Sequence, residues 1–209
     1  MTNNWLDKWN DRYSSSAYAY GEEPNLFLED KLQKVEPQKI LFAAEGEGRN
    51  AVYAASKGWE VAAFDISTEA YKKAIQLATK KEVTIEYQVG DLFELDFTTH
   101  QFDVIALIYA HFPAAIKSSY HKKLLSLLKP GGLVVFEAFS KNHIKLKEEN
   151  PKVGGPSDID DLFSIDEIEA DFSTCSFLQL EEVVIDLNEG IYHQGQGSVI
   201  RFIAQKKKE

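Results

Sequence analysis

Short apolar runs and stretches of helical periodicity alternate along the chain from about residue 39. The apolar runs predict strands at 39–44, 60–65, 83–89, 102–108 and 133–139. The stretches between them predict three helices. One covers 49–57, one begins after a cap at Ser67 or Thr68, and one covers 114–129. Strands and helices that alternate in this way form a parallel sheet with helices on both faces.

The last third of the chain departs from this alternation. A helix near 164–172 is followed by a predicted strand at 177–186, a connection at 187–197 and a final strand at 198–205. With no helix between them, these two strands are expected to run antiparallel. There is no internal repeat and no linker rich in Pro, Gly or Ser. We therefore predict one domain over residues 1–209, with its α/β core at 36–205.

Residues 1–35 are rich in aromatic and polar side chains. Trp5, Trp9, Arg12 and Tyr13 fall at helical spacing, which predicts a helix over 4–14. A second helix is expected after Pro24. This N-terminal segment is either an arm that packs on the core or a lid over a binding site.

The stretch from Ile40 to Ala51 reads as a buried strand, a glycine turn and the start of a helix. Gly46, Gly48 and Ala51 fit the G-x-G-x-x-A pattern, and Asp65 follows 19 positions after Gly46. The first N–H groups of a helix have no partner within it and point at whatever occupies the turn. The pattern indicates a nucleotide-like cofactor without identifying it. Asp65 either binds a ribose or caps the next helix.

The composition indicates which classes of binding partner and which cell compartment to expect. The formal net charge of −10 argues against nucleic acid. No apolar stretch approaches the roughly 18 residues of a membrane span, and no secretion signal is visible. Cys175 is the one cysteine, which suits a cytoplasmic protein without an intramolecular disulfide. No metal-ligand spacing is present, and oligomeric state is not indicated.

Three further features restrict the cofactor. Asp91 follows the third strand, Lys129-Pro130-Gly131-Gly132 leads into the fifth, and the sheet ends in an antiparallel hairpin. Together with the glycine turn, they resemble the class I S-adenosylmethionine-dependent methyltransferases. The resemblance covers nearly all of residues 35–205. It implies a Rossmann-like three-layer sandwich whose seven strands follow the order 3-2-1-4-5-7-6, with strand 7 antiparallel.

The resemblance also implies cofactor contacts, by position. The family's cofactor contacts follow the ends of the first four strands. They correspond to Ala44, Glu45, Gly46 and Gly48 in the turn after strand 1, Asp65 and Ile66 at the ribose, Asp91 and Leu92 at the adenine, and Ile108 and Tyr109 at the methionine part. The sequence departs from the family where an acidic residue and a glycine are usual, since it has Phe42 and Ala44 there. Glu45 or a backbone carbonyl is a candidate replacement for the missing acceptor.

The segments around Trp9, Tyr20 and Tyr109 are similar to a narrower group, the small tellurite-resistance-like and thiopurine-methyltransferase-like branch. Members of that branch methylate soft nucleophiles such as thiols and chalcogen oxyanions. We therefore expect a small-molecule acceptor with such a nucleophile.

Ligands of open α/β sheets bind beyond the carboxyl ends of the parallel strands. Three loops reach that edge, at 109–113, 140–163 and 187–197, and two of them carry the candidate general bases His111 and His193. Each histidine is alternatively a structural loop residue. At the level of function, the alternatives to a methyltransferase are a nicotinamide-dependent oxidoreductase and a non-catalytic S-adenosylmethionine-binding protein.

Overall fold

Strands that are apolar on both faces form the centre of the structure. The computed structural model describes residues 3–208. The strands are β1 (Lys39–Ala43), β2 (Glu60–Asp65), β3 (Glu86–Val89), β4 (Phe102–Ile108), β5 (Leu128–Phe139), β6 (Cys175–Glu189) and β7 (His193–Lys206). They form one sheet in the order 3-2-1-4-5-7-6, in which β7 is antiparallel to both β5 and β6. The predicted fold class and strand order are confirmed.

The helices cover the sheet in two layers. They are α1 (Asn3–Tyr13), α2 (Leu26–Leu32), α3 (Arg49–Ser56), α4 (Thr68–Lys80), α5 (Ala114–Leu127), α6 (His143–Glu149) and α7 (Ile165–Asp171). Helices α2, α3 and α4 pack on one face, and α5 and α7 pack on the other.

Strand β1 shows how alternating side chains fill both layers. Leu41 belongs to the α5–α7 side, whereas Ile40 and Phe42 belong to the α2–α4 side. Phe42, which stands where the resembling family has an acidic residue, is 1% exposed. Its ring is therefore a core contact, and the carboxylate function has to come from another position.

Four predicted segments differ from the structure. Strand β3 begins at Glu86 rather than residue 83, and β5 begins at Leu128 because residues 128–132 continue the strand with a register shift beside β4. The predicted connection 187–197 is mostly strand, since β6 and β7 pair out to Glu189 and His193 and leave a three-residue turn. The segment 140–163 contains α6 and two short 3-10 turns rather than one open loop.

Within residues 3–208, no helix is both long and apolar enough to cross a membrane.

Candidate active site

A cavity of about 580 Å³ opens at the carboxyl-terminal edge of the parallel strands, where α/β proteins bind ligands. Five groups of residues form most of its wall. They come from the ends of β1, β2 and β3 and the turns after them (Ala44, Glu45, Phe64, Asp65, Ile66, Leu92), the end of β4 and the loop after it (Ile108, Tyr109, His111), helix α1 (Trp5, Lys8, Trp9, Arg12, Tyr13), the segment after β5 (Lys147, Gly154, Gly155, Asp158, Asp161) and the β6–β7 turn (Tyr192, His193). The cavity therefore joins the predicted cofactor residues to both candidate bases.

The turn after β1 has three residues with positive φ: Ala44 at 51°, Gly46 at 63° and Gly48 at 87°. Gly46 donates its N–H to Asp65 at 3.0 Å and accepts a hydrogen bond from the Tyr87 hydroxyl at 2.7 Å. A Cβ on Gly46 would lie 2.8 Å from the Tyr13 hydroxyl. Glycine is thus required both by the turn and by the close approach of α1.

Glu45 caps helix α3. Its Oε1 accepts the backbone N–H of Asn50 at 3.0 Å and that of Ala51 at 2.8 Å, two of the groups left unpaired at a helix start. Burial raises the pKa of Glu45 to about 7, against the lowering effect of these N–H bonds and of Arg49. The turn that lacks the family's usual acidic residue therefore still presents a carboxyl group at the cavity wall.

Asp65 ends β2 with both carboxylate oxygens accepting backbone bonds. Oδ1 accepts from Ser67 N–H at 2.9 Å, and Oδ2 accepts from Gly46. The side chain is 6% exposed, and burial raises its pKa to about 6 despite these bonds. Ser67 itself caps α4 by accepting the Ala70 N–H. The helix cap is therefore Ser67, and the Asp65 carboxylate is fixed in direction at the wall of the cavity.

Helix α1 lies along the open side of the cavity. Trp9 and Tyr13 stack with ring centroids 5.6 Å apart, and both line the cavity. The Ser67 hydroxyl donates to Asn10 at 2.7 Å, which ties the helix to the start of α4. Helix α1 therefore contacts the core and lines the cavity.

The chain after α1 is held by a buried ion pair between Lys73 and Glu47. Lys73 also donates to the carbonyls of Ser15 at 2.9 Å and Ala17 at 2.6 Å, and Glu47 accepts the Ala19 N–H at 2.7 Å. Because the charges are paired and hydrogen-bonded, they anchor the residues that follow α1 instead of facing the cavity.

Of the two residues predicted to contact the adenine ring, Leu92 lines the cavity and Asp91 does not. Leu92 is fully buried and lines the cavity. Asp91 lies outside the lining, where its carboxylate accepts the Phe93 N–H at 2.9 Å and the Tyr120 hydroxyl at 2.6 Å. Tyr120 does line the cavity. Of the ten predicted cofactor residues, Gly46, Gly48 and Asp91 are the three that do not form its wall, and the role of each residue stays a prediction.

His111 has both ring nitrogens engaged with the backbone. Nε2 accepts the Phe139 N–H at 3.2 Å, so Nδ1 carries the proton and donates to the Asp161 carbonyl at 3.1 Å. Burial lowers its pKa to about 3. With its one lone pair used, His111 holds the loop after β4 against β5, and the geometry does not favour it as a base.

His193, unlike His111, keeps one ring nitrogen without a hydrogen bond to the backbone of residues 3–208. Its Nδ1 lies 2.9 Å from Glu189 Oε2, which makes Nε2 the lone-pair nitrogen of the neutral ring, and the side chain lines the cavity. Burial raises the pKa of Glu189, but Arg49, 3.0 Å away, and His193 outweigh it and bring the pKa to about 2. Burial lowers the pKa of His193, with Glu189 opposing the shift. The pair is a neutral imidazole oriented by an ionised carboxylate.

The sequence reading did not identify the polar network behind these residues. Tyr109, with φ at 53°, donates its hydroxyl to buried Glu137 at 2.9 Å, and Asn25 donates to Glu137 at 2.7 Å and to Glu189 at 3.2 Å. Arg201 forms an ion pair with Glu137. A positive φ at a bulky residue is strained and persists only where its surroundings impose it. The network supplies that constraint at the end of β4.

Arg49 carried a sequence signal for this network, since it lies within the stretch from Ile40 to Ala51. Glu137 and Arg201 lay within apolar strands and had none. Among residues 3–208, no group of three or more metal-ligating side chains comes together.

Comparison with known proteins relates part of the sequence to methyltransferases. Residues 40–132 match a family model described as a methyltransferase domain. The chain is 34% identical over 90 residues to 2-methyl-6-phytyl-1,4-hydroquinone methyltransferase of Synechocystis, covering 42% of this chain. It is 29% identical over 140 residues to phosphoethanolamine N-methyltransferase 1 of Zea mays, covering 66%. Both alignments span only 27% of the relative's length.

Solved structures extend the likeness to nearly the whole fold. A methyltransferase of Methanosarcina mazei, whose name describes it as S-adenosylmethionine-dependent, superposes with a TM-score of 0.70 at 21% identity, covering 90% of this chain and all of that one. TehB of Haemophilus influenzae superposes with a TM-score of 0.70 at 18% identity, covering 97% and 67%. The sequence match to a methyltransferase domain covers residues 40–132, and the likeness in strand order and fold extends over most of the chain.

Proposed function

We propose that this protein transfers the methyl group of S-adenosylmethionine to a small-molecule acceptor, with His193 as the general base. The observation that carries the proposal is that the turn after β1 and His193, which is bonded to Glu189, line the same cavity. The printed names of the two relatives, a hydroquinone and a phosphoethanolamine methyltransferase, are consistent with a small acceptor.

The residues at one end of the cavity fit the cofactor by their chemistry. S-adenosylmethionine, when bound, supplies a methyl group on a positively charged sulfur. Asp65 is placed to accept from ribose hydroxyls, as a carboxylate at the end of β2 commonly does. Phe64, Ile66 and Leu92 give an apolar surface for the adenine ring. Glu45 provides a carboxyl group near the turn, where we propose that it replaces the acidic residue missing from position 42.

At the other end, His193 is prepared to take a proton. Glu189 fixes the tautomer by accepting from Nδ1, so Nε2 remains an acceptor at the cavity wall. The rings of Tyr20 and Tyr109 lie 4.6 and 4.5 Å from the imidazole and hold its plane. Nε2 would take the proton that the acceptor's nucleophilic atom gives up when the methyl carbon–sulfur bond breaks, the methyl group passes to that atom and the sulfur leaves as a neutral thioether. Helix α1 lines the same space, where we propose that it limits the access of water to the two reactants.

Within this function we propose a thiol or another soft nucleophile as the reacting group. The similarity of the segments around Trp9, Tyr20 and Tyr109 to the tellurite-resistance-like and thiopurine-methyltransferase-like branch supports this choice. A thiol ionises far more readily than an alcohol, so a neutral histidine is a sufficient base for it.

Transfer of labelled methyl groups to a panel of thiols, amines and chalcogen oxyanions tests the proposal. We expect transfer to at least one thiol, and we expect His193→Asn to slow it about 10²- to 10⁴-fold, the usual range for loss of a general base. Affinity for S-adenosylhomocysteine, measured by calorimetry, should stay within about twofold. The matched control is His100→Asn, because His100 is exposed and outside the cavity.

Two results would count against the proposal. Binding of NADH in place of S-adenosylhomocysteine would favour the oxidoreductase alternative. An unchanged rate for His193→Asn, with the cofactor bound, would remove His193 from the mechanism.

A further inference from the structure

The acceptor side of the cavity carries three cations. Lys8 and Arg12 come from α1, and Lys147 comes from α6. None of the three forms an ion pair within 4.0 Å in the part of the chain that the structure describes. In a chain with a formal net charge of −10, three unneutralised cations around one cavity run against the overall composition.

Two of these cations are held in place by neutral partners. Lys147 donates to the Gly155 carbonyl at 2.6 Å and to the Ser157 hydroxyl at 2.9 Å. The Arg12 guanidinium lies 3.8 Å from the centre of the Tyr192 ring and donates to the Tyr20 hydroxyl at 3.1 Å. Such contacts orient a charged group without neutralising it, so each keeps its attraction for an anion.

The carboxylates on the same wall have other partners. Asp158 accepts the Asp160 N–H at 3.0 Å, and Asp161 accepts the Ala114 N–H at 2.9 Å. Both bonds shape the loop between β5 and α7. Glu45 and Asp65 lie at the cofactor end. The three cations therefore face the acceptor space with no carboxylate bonded to them.

Their mutual effect is visible on Lys147. Burial lowers the pKa of Lys147, and the charges of Lys8 and Arg12 lower it further. Charges that repel one another across a partly buried cavity are stabilised when an anion occupies the space between them. The arrangement is that of a binding site for a negative group.

We propose that the methyl acceptor is an anion, whose carboxylate, phosphate or sulfate group binds Lys8, Arg12 and Lys147 while its body packs on the ring of Trp9. The inference rests on the proposed function and adds the class of acceptor. Tyr192, under Arg12, is the chain neighbour of His193, so an acceptor that reaches both the cations and the base is small. The three cations select acceptors that carry a negative group, and the methyl transfer takes place beside His193.

Calorimetric titration of the S-adenosylhomocysteine-loaded protein tests this inference. The probes are benzoate and phenyl phosphate, with benzamide as the uncharged counterpart of benzoate. We expect at least one of the two anions to bind at least about tenfold more tightly than benzamide, and Lys147→Met to weaken that anion about tenfold, the effect of one lost charged hydrogen bond. Lys8→Met should weaken the anion as well, and benzamide should bind both variants as it binds the natural protein.

Lys145→Met is the matched control, because Lys145 is exposed on the same helix and outside the cavity. It should leave anion affinity unchanged. Equal affinity for benzamide and both anions, or a Lys147→Met variant that binds the anion as tightly as the natural protein, would overturn the inference. Failure of the natural protein to bind S-adenosylhomocysteine would instead contradict the proposed function, so the two failures are distinguishable.

Discussion

The Glu45 carboxyl group makes the stability of the ligand-free protein fall as pH rises. In the unfolded chain it ionises near its ordinary pKa of 4.5, whereas in the folded protein burial raises that pKa to about 7. Between these values the folded state holds a proton that the unfolded state has released. The contribution of Glu45 to stability is thus fully present below pH 4.5 and is lost as pH rises through 7.

The size of this loss follows from the shift. At about 1.36 kcal/mol per pKa unit, the raised value corresponds to roughly 2.5 kcal/mol between pH 5 and pH 8. Because Glu45 is partly exposed to water in the cavity, solvent screening reduces the expected effect to roughly 1–2 kcal/mol.

Glu45→Gln removes the titration while keeping an oxygen for the N–H groups of Asn50 and Ala51. We expect urea unfolding, followed by circular dichroism from pH 5 to pH 8, to give a gap between variant and natural protein that grows in favour of the variant. Glu148→Gln is the control, because Glu148 is exposed and forms no ion pair or side-chain hydrogen bond among residues 3–208. Natural protein and Glu45→Gln losing stability in parallel would refute the reasoning.

Two further predictions concern the turn after β1. Gly46→Ala should weaken S-adenosylhomocysteine binding about tenfold by calorimetry, since its Cβ would meet Tyr13 and displace α1. The control is Gly58→Ala, which is also at positive φ but whose Cβ would have nothing within 4 Å, so it should lower stability without changing affinity. Equal affinities of the two variants would contradict the steric argument. Ala44→Gly should raise stability to urea by about 0.5–1 kcal/mol because φ at Ala44 is 51°, and a fall would show that the turn is not strained there.

The sheet was predictable because its central strands are apolar on both faces and their helices repeat regularly. The end of the hairpin was not. Asn188 to Gly197 is polar and glycine-rich, and such a stretch ordinarily forms a loop. In the structure these residues, except for the turn at 190–192, pair across β6 and β7 beyond the neighbouring strand β5. Pairing with a partner strand, and not local preference, decides their conformation.

The candidate site was predictable where chemistry follows a strand end directly, as at Asp65 and Leu92. The different environments of the two histidines could not be predicted from the sequence. His111 is fixed by Asp161 and Phe139, which lie 50 and 28 positions away. The tautomer of His193 depends in the same way on its partner, Glu189, across the turn. Sequence spacing identifies residues able to carry a proton, but their hydrogen-bond partners determine whether they are available to do so.

The β6–β7 turn also bears on how the protein folds. Ile191 donates its N–H to the Ala19 carbonyl at 2.8 Å, and a Cβ on Gly190 would lie 2.4 Å from Gly21 N. The Asn25–Glu189 bond spans 164 positions of sequence. Contacts this distant form late, because the entropy of closing so long a loop is recovered only after nearer contacts exist. We expect the sheet to assemble before the cavity closes, so that folding produces a structured core first and the site for cofactor and acceptor last.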